Sequence, residues 1–477
     1  MSLKGIICAI AIPFMALNLS HAQKVKVIYT TPTEHWVNAK KTAKIEKSVK
    51  NADITVFVDK KLQVIDGIGG AFNELGWTAI KTLPSEKQEE VLKALFSKEG
   101  CNFSMCRMPI GASDYSLSYY SLDDVPNDFV MRDFNIDRDK FILIPYIKAA
   151  MKYRPDLKMW ASPWTPPAWM KVNEHYSTRS GDWNGRKGGN RMIPGADVFN
   201  NATAFKMQER YLKSYALYFS KFVQSYQKEG IFLSMIQPQN EIAYSPNWPS
   251  CTWRAEDMAY FIGKFLGPQF EKDNIKTQIW LGTINYGKPD YVRYILNDKD
   301  CKKYIKGVGF QWAGERAIPS IVKEYPDLSY MQTENKCGDG ENNWSSVARS
   351  WNTIQHFFNN KAGSYMYWNM VLDQTGMSSW GWPQNSMIMI DTNKKSIIYN
   401  DEYYLFKHLS HFVQPGSHVL KSSKGEDHVA FELNDGRIMV LINNPEKTEK
   451  NIEIKLGQMA VSVNLKPESI NSVIVEK

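Results

Sequence analysis

The chain is poor in the residues that build metal and redox sites. It has six cysteines in 477 residues, no Cys-x-x-Cys pair, eight histidines and no His-Glu-x-x-His. A zinc ribbon, a thioredoxin-like centre and a His-ligated metallohydrolase are therefore not expected. Nor is there a Lys/Arg run, an internal repeat or a low-complexity tract; the formal charge of +8 is spread along the chain, so no nucleic-acid partner is expected. The apolar run from Gly5 to Leu17 is shorter than the ~20 residues that span a bilayer, so stable membrane insertion is not expected either.

That run instead has the make-up of an export signal. Lys4 supplies the positive end, and Ser20-His21-Ala22 forms a small-x-small cleavage site before Gln23. Residues 1–22 are expected to be removed and the protein exported to the periplasm, the cell surface or the medium. Cys8 leaves with them. Cys101, Cys106, Cys251, Cys301 and Cys337 remain, an odd number, so at least one is unpaired within the chain. A Cys101–Cys106 bridge and free thiols both stay open.

What is present in quantity is aromatic: 15 Trp and 24 Tyr. Aromatic faces pack against the C–H faces of sugars, although they also fill ordinary cores. The length suits one large barrel with an accessory domain. Strand-like apolar runs occur at Ile65–Gly70, Phe103–Met108, Leu157–Ser162, Ser234–Gln237, Gln278–Gly282, Ile305–Gln311, Leu328–Glu334 and Ser364–Trp368. Helical periodicity fills the gaps, clearest over Phe205–Glu229. Eight such units predict a TIM (β/α)8 barrel, whose functional face lies at the C-terminal ends of the strands. Ser85 and Gln88 are placed for a capping box on the first long helix. The glycine-rich Asp66–Phe72 also admits a dinucleotide-loop reading, but Phe72 stands where the third glycine belongs.

Outside the barrel the pattern is all β. Lys24–Thr31 and Ile54–Val58 read as strands, with no more than a short turn expected near Lys40 to Val49. Beyond Ser417 short strands are expected at His428–Leu433, Arg437–Ile442, Asn451–Ile454 and Ser469–Val475. The two ends bury a core most easily by pairing as one all-β sandwich side domain built from both termini. The expected layout is a signal at 1–22, sandwich strands at 23–64, the barrel at 65–400 and the rest of the sandwich at 401–477. The Gly-, Asn- and Arg-rich loop 171–204 follows a barrel strand and is expected to shape the cleft.

Two strands end on acids. Ser234–Gln237 runs into Pro238-Gln239-Asn240-Glu241, and Leu328–Thr333 into Glu334. Buried parallel strands do not readily finish on ionisable groups. Two carboxylates facing each other across a barrel mouth are the equipment for glycosidic bond cleavage. Arg107, Trp164, Asn240, Trp312 and Trp368 fall at the same end of their strands, with Asp114 just beyond. A lone Arg or Trp there is ordinarily packing; the set points to a site. A non-catalytic glycan-binding protein is the alternative from another class.

These stretches resemble glycoside hydrolase family 30, the family of the glucosylceramidases. The match runs through Asp66–Phe72, Cys106-Arg107-Met108-Pro109-Ile110 with Ser113-Asp114, Ala161-Ser162-Pro163-Trp164-Thr165-Pro166-Pro167-Ala168-Trp169, Gln239-Asn240-Glu241 and Thr333-Glu334. The resemblance implies a retaining mechanism without metal or organic cofactor, with Glu241 as general acid/base and Glu334 as nucleophile. It further implies Arg107 orienting the nucleophile, Asn240 on the sugar 2-hydroxyl, and Asp114 and Trp164 on the terminal glucose. Trp368 would form a stacking floor, and Trp312 belongs to the same substrate-binding set. Glucosylceramidases end strand six on His-Trp-Tyr, where this chain has Gln311-Trp312-Ala313. That departure points away from ceramide and toward the branch that cleaves β-1,6-glucan.

Overall fold

The computed structural model describes residues 24–39, 43–46, 51–182, 189–425 and 427–476. The expected export signal, residues 1–22, lies outside the described residues. Eight strands close a barrel: Gly67–Ala71, Met105–Ile110, Lys158–Pro163, Leu233–Ile236, Gln278–Ile284, Ile305–Gln311, Ser329–Glu334 and Ala362–Asn369. All neighbours are parallel, and the last strand pairs with the first through Ser364 and Gly67. Helices cover the outside, so both strand faces are buried and the strands read as near-continuous apolar runs.

The glycine run lies within the first strand and forms no phosphate loop. A Cβ on Gly69 would overlap the Met105 carbonyl oxygen, so glycine is what lets strands one and two approach. Inside the barrel, Met105, Trp160, Met235, Trp280, Met331 and Met366 form one buried layer. Two residues further along strand two, Arg107 sits above it, with its guanidinium 5.0 Å from the Trp160 ring. The helix read from periodicity is Glu209–Lys228, closed by Gly230 in the left-handed region. The capping box does not form. The helix Ser85–Phe96 is entered through Pro84 without a side-chain cap, and the Gln88 amide donates instead to the Leu83 carbonyl.

The two chain ends make a single ten-stranded sheet that curls into a sandwich. Val25–Thr30 pairs with Ser469–Val475, and Ile54–Val64 lies between His418–Ser422 and Lys450–Leu456. Val27, Ile54, Val56, Val440, Ile454, Val461 and Val473 share its core. Where only a turn was expected, Ala43–Glu46 is a strand paired antiparallel with Met459–Leu465. His418–Ser422 and Met459–Leu465 are further strands beyond the four expected after Ser417.

The helix Asp401–Ser410 joins the two bodies. Its buried Glu402 accepts hydrogen bonds from Ser350, Tyr367 and Asn385 on the barrel side. One turn and a half later, His408 bonds Thr30 and Ser472 of the sheet. Burial holds this imidazole down at about 3, so it stays neutral at physiological pH.

The five cysteines among the described residues are all free and buried, Cys101 and Cys106 included. Among the described residues no helix is long and apolar enough to cross a membrane. The long loop after strand three is tied to the loop after strand four by Lys171. Its buried ammonium donates to the carbonyls of Tyr176, Ser177 and Ser250 at 2.9, 3.2 and 2.6 Å. Burial lowers that lysine to about 7, while the three carbonyl acceptors favour its charged form. Residues 183–188 of this loop lie outside the described residues.

Candidate active site

Arg107 is the hub of the barrel mouth. Its guanidinium is fully buried and donates to Glu334 Oε2 at 2.6 Å, Asn240 Oδ1 at 2.7 Å and Ser162 Oγ at 2.8 Å. A cation buried this deeply survives only with such partners. Trp164 lies 4.3 Å from it and Trp368 lies 5.6 Å away, and these two indoles stack on each other at 4.9 Å.

Glu334 ends strand seven with its side chain 12% exposed. Its Oε2 takes a second donor, the Gln311 amide, at 2.9 Å. Burial raises its pKa, and the Arg107 cation and Gln311 N–H oppose that rise. Glu241 lies five residues beyond strand four, in the left-handed region at φ 50°. That conformation is uncommon for a residue with a Cβ. The surroundings enforce it: the Glu241 N–H donates to Thr283 Oγ1 at 3.0 Å, and its carbonyl accepts from the Tyr244 N–H at 3.1 Å.

No cation contacts the Glu241 carboxyl among the described residues. Its pKa is pushed well above the ordinary carboxylate value, by burial first and then by the charges of Glu334 and Asp114. Asp114, buried past the end of strand two, is raised in the same way by burial and by Glu334; its Oδ1 has no partner among the described residues. Of the two glutamates, Glu334 gives up its proton first, because Arg107 and Gln311 stabilise its charge. One carboxylate and one carboxylic acid thus face one cleft, which is the division of labour that acid–base and nucleophilic chemistry needs.

Asn240 is held by its oxygen. Oδ1 accepts from Arg107, from Thr283 Oγ1 at 3.1 Å and from Gln311 Nε2 at 3.1 Å, so its NH2 is the end left for the cleft. Trp312 stands half-buried at the end of strand six, with the Lys336 ammonium 5.0 Å from its ring. Asp114, Trp164, Asn240, Glu241, Trp312 and Glu334 all line one cleft of about 780 Å³. Arg107 and Trp368 sit behind it.

Three residues at this site were not anticipated as members. Ser162 was visible only as part of a motif, and Thr283 carried no signal. Gln311 stood out as a departure from the resemblance, without its role as a donor to both Glu334 and Asn240.

An eight-stranded barrel with such a carboxyl pair beyond strands four and seven has the architecture of a glycoside hydrolase, and in the family matched below these enzymes are retaining. Residues 65–413 match the glycosyl hydrolase family 30 TIM-barrel domain, and the chain belongs to that family. Similar curated proteins include putative glucosylceramidase 1 of Caenorhabditis elegans, 29% identical over 443 residues, covering 87% of this chain and 78% of that protein. Another is the endo-1,6-β-D-glucanase neg1 of Aspergillus fumigatus, 27% identical over 405 residues, covering 80% of this chain and 78% of the relative. Among solved structures, SrfJ from Salmonella typhimurium superposes with a TM-score of 0.83 at 23% identity, covering 95% of this chain and 99% of its own. An endo-β1,6-glucanase superposes with a TM-score of 0.79 at 24% identity, covering 95% and 100%. At these identities the two structures support the fold.

Proposed function

We propose that the protein is an exported endo-β-1,6-glucanase in which Glu334 is the nucleophile and Glu241 the general acid/base. The observation that carries the substrate class is the lining of the cleft. Tyr244, Trp248, Tyr286, Trp312 and Trp382 supply rings and Asn200, Asn285 and Gln384 supply amides; among the described residues no Leu, Ile, Val, Met or Phe lines it. Aromatic faces packing on C–H groups together with oriented amide hydrogen bonds are the combination that holds a sugar.

In the first step Glu334 attacks the anomeric carbon while Glu241 donates its proton to the departing oxygen. In the second, Glu241 as carboxylate takes a proton from water, which displaces Glu334. Arg107 fixes the attacking oxygen, and the Asn240 NH2 donates to the sugar 2-hydroxyl, a contact that strengthens in the transition state. Asp114 and Trp164 bind the terminal glucose, with Trp368 behind them as support and Trp312 beside the scissile bond.

The alternative reading is glucosylceramide hydrolysis, in keeping with the names of several relatives. The test is the product profile on linear β-1,6-glucan, with Glu334→Gln as the blank. A ladder of oligosaccharides is expected. Release of monosaccharide alone would indicate an exo-acting enzyme, and turnover of glucosylceramide without turnover of the glucan would overturn the substrate assignment.

A further inference from the structure

Regular strand pairing gives out where strand seven delivers Glu334. Toward strand eight the ladder ends at Gln332–Tyr365, and toward strand six the register shifts at Gln311, which then faces Glu334. The next residue, Asn335, is held by other means. Its backbone N–H donates to the Met366 carbonyl at 3.0 Å. Its Oδ1 accepts from the Tyr365 hydroxyl, and its Nδ2 donates to Ser350 Oγ at 2.9 Å.

Ser350, on the helix Ser345–Asn359, gives its own hydrogen to Glu402 Oε1 at 2.6 Å, which leaves a lone pair for Asn335. Oε2 of the same carboxyl accepts from the Tyr367 hydroxyl at 2.8 Å and from Asn385 Nδ2 at 3.2 Å. Asn385 cannot turn round, because its Oδ1 accepts the N–H groups of Gly340 and Asn342 at 2.9 and 3.2 Å. Glu402 is buried, and no Lys or Arg pairs with it among the described residues. A carboxylate so placed is costly unless donors converge on it. Because it only accepts, it fixes the direction of each donor around it. The helix that carries it is tied at its far end to the sheet by His408, so both bodies of the protein back this anchor.

We infer that Glu402 is a positioning residue for the nucleophile: it orients Ser350, Ser350 orients Asn335, and Asn335 sets the backbone that aims Glu334. The inference rests on the proposed role of Glu334 as nucleophile and not on the β-1,6 linkage. Arg107 and Gln311 hold the Glu334 carboxylate itself. The relay from Glu402 holds the backbone behind it, where the strand ladder no longer does. Attack on a bound sugar needs the reacting atoms aligned near contact, so a small displacement of that backbone lowers the rate of attack without weakening ground-state binding.

Glu402→Gln breaks the relay at a defined point. Its oxygen must face the fixed Asn385 Nδ2, so its NH2 meets Ser350, whose hydrogen must turn away, and the match with Asn335 is lost. Ser350→Ala cuts the same link and spares the carboxylate. Each full-length variant is labelled with an activated 2-deoxy-2-fluoro-β-glucoside. The readouts are the first-order labelling constant at saturation, the half-saturating concentration and the sugar finally bound per chain. The constant belongs to each competent site and the final label counts those sites, so misfolded enzyme alters only the label. The constant should fall about tenfold or more in each variant, with the other two readouts close to wild type. The double variant should be no slower than the slower single one, because both act on one link. An unchanged constant in both variants, a loss confined to the half-saturating concentration or the final label, or losses that add in the double variant would overturn the relay. Should Glu402→Gln not fold, the constant of Ser350→Ala decides alone. A wild type that takes no label on Glu334 would refute the nucleophile and the relay with it. Labelling of Glu334 without cleavage of β-1,6-glucan, with the constant lowered in the variants, would leave the relay standing and remove only the linkage.

Discussion

Replacing Gln311 by Met tests the electrostatics of the site with little change of volume. Gln311 Nε2 donates to Glu334 Oε2 at 2.9 Å and to Asn240 Oδ1 at 3.1 Å, whereas its Oε1 is buried without a partner among the described residues. The substitution removes both donors and relieves an unsatisfied acceptor, so the fold should tolerate it. The Gln311 hydrogen bond favours the ionised form of Glu334, and its loss raises the Glu334 pKa. A hydrogen bond to a charged group contributes about 1.5–3 kcal/mol, and 1.36 kcal/mol corresponds to one pKa unit, so the shift should be about 1–2 pH units. The proposed reaction needs Glu334 ionised. The acid limb of kcat/KM on an aryl β-glucoside should therefore move to higher pH by that amount, with the basic limb, set by Glu241, nearly in place. An acid limb that stays put while kcat/KM falls uniformly would refute this role for Gln311.

Glu241→Ala should slow substrates with poor leaving groups by at least a hundredfold more than activated aryl glycosides, because only the former need a proton; comparison of kcat/KM across a leaving-group series checks it. Glu241→Gln bears on stability. The native pKa of Glu241 lies above its unfolded value, so the native state holds a proton that the unfolded chain releases, and stability falls as pH rises from the unfolded value through the native one. The neutral amide escapes that fall. Thermal melts should show Glu241→Gln level with wild type near pH 4 and more stable above it, whereas equal melting temperatures at all pH values would contradict the raised pKa. Lys171→Met should destabilise the cleft wall by about 1–3 kcal/mol, the cost of leaving buried carbonyls unpartnered. Faster proteolytic nicking within residues 171–204 is the readout.

The barrel was legible because parallel strands covered on both faces leave unbroken apolar runs, and all eight were found within a few residues of their ends. Glu334 was legible because it closes such a run with an acid, and Glu241 because an acid follows such a run within five residues. Residues that act through another side chain across the barrel were harder to see. Thr283 and Ser162 bond Asn240 and Arg107 from other strands, and nothing local marks a hydroxyl as a donor or acceptor at that distance in sequence. Ala43–Glu46 has Ile45 between two charged neighbours, so its strand state comes from its partner strand. Met459–Leu465, by contrast, alternates behind Gly457 and carried a hairpin signal. The capping box failed because Pro84 sets the entry to the helix and the Gln88 amide finds the Leu83 carbonyl closer to hand. The expected roles of Trp164 and Trp368 were assigned separately, although the structure stacks them as one unit against Arg107.

The most direct measurement is to trap the intermediate with an activated 2-deoxy-2-fluoro-β-glucoside, which forms the glycosyl-enzyme faster than it breaks down, and to map the labelled peptide by mass spectrometry. The expected result is one sugar per chain, attached to Glu334, with no label on Glu334→Gln. A label on Glu241 or Asp114, or rapid inverting hydrolysis with no trapped species, would contradict the assignment of Glu334 as nucleophile.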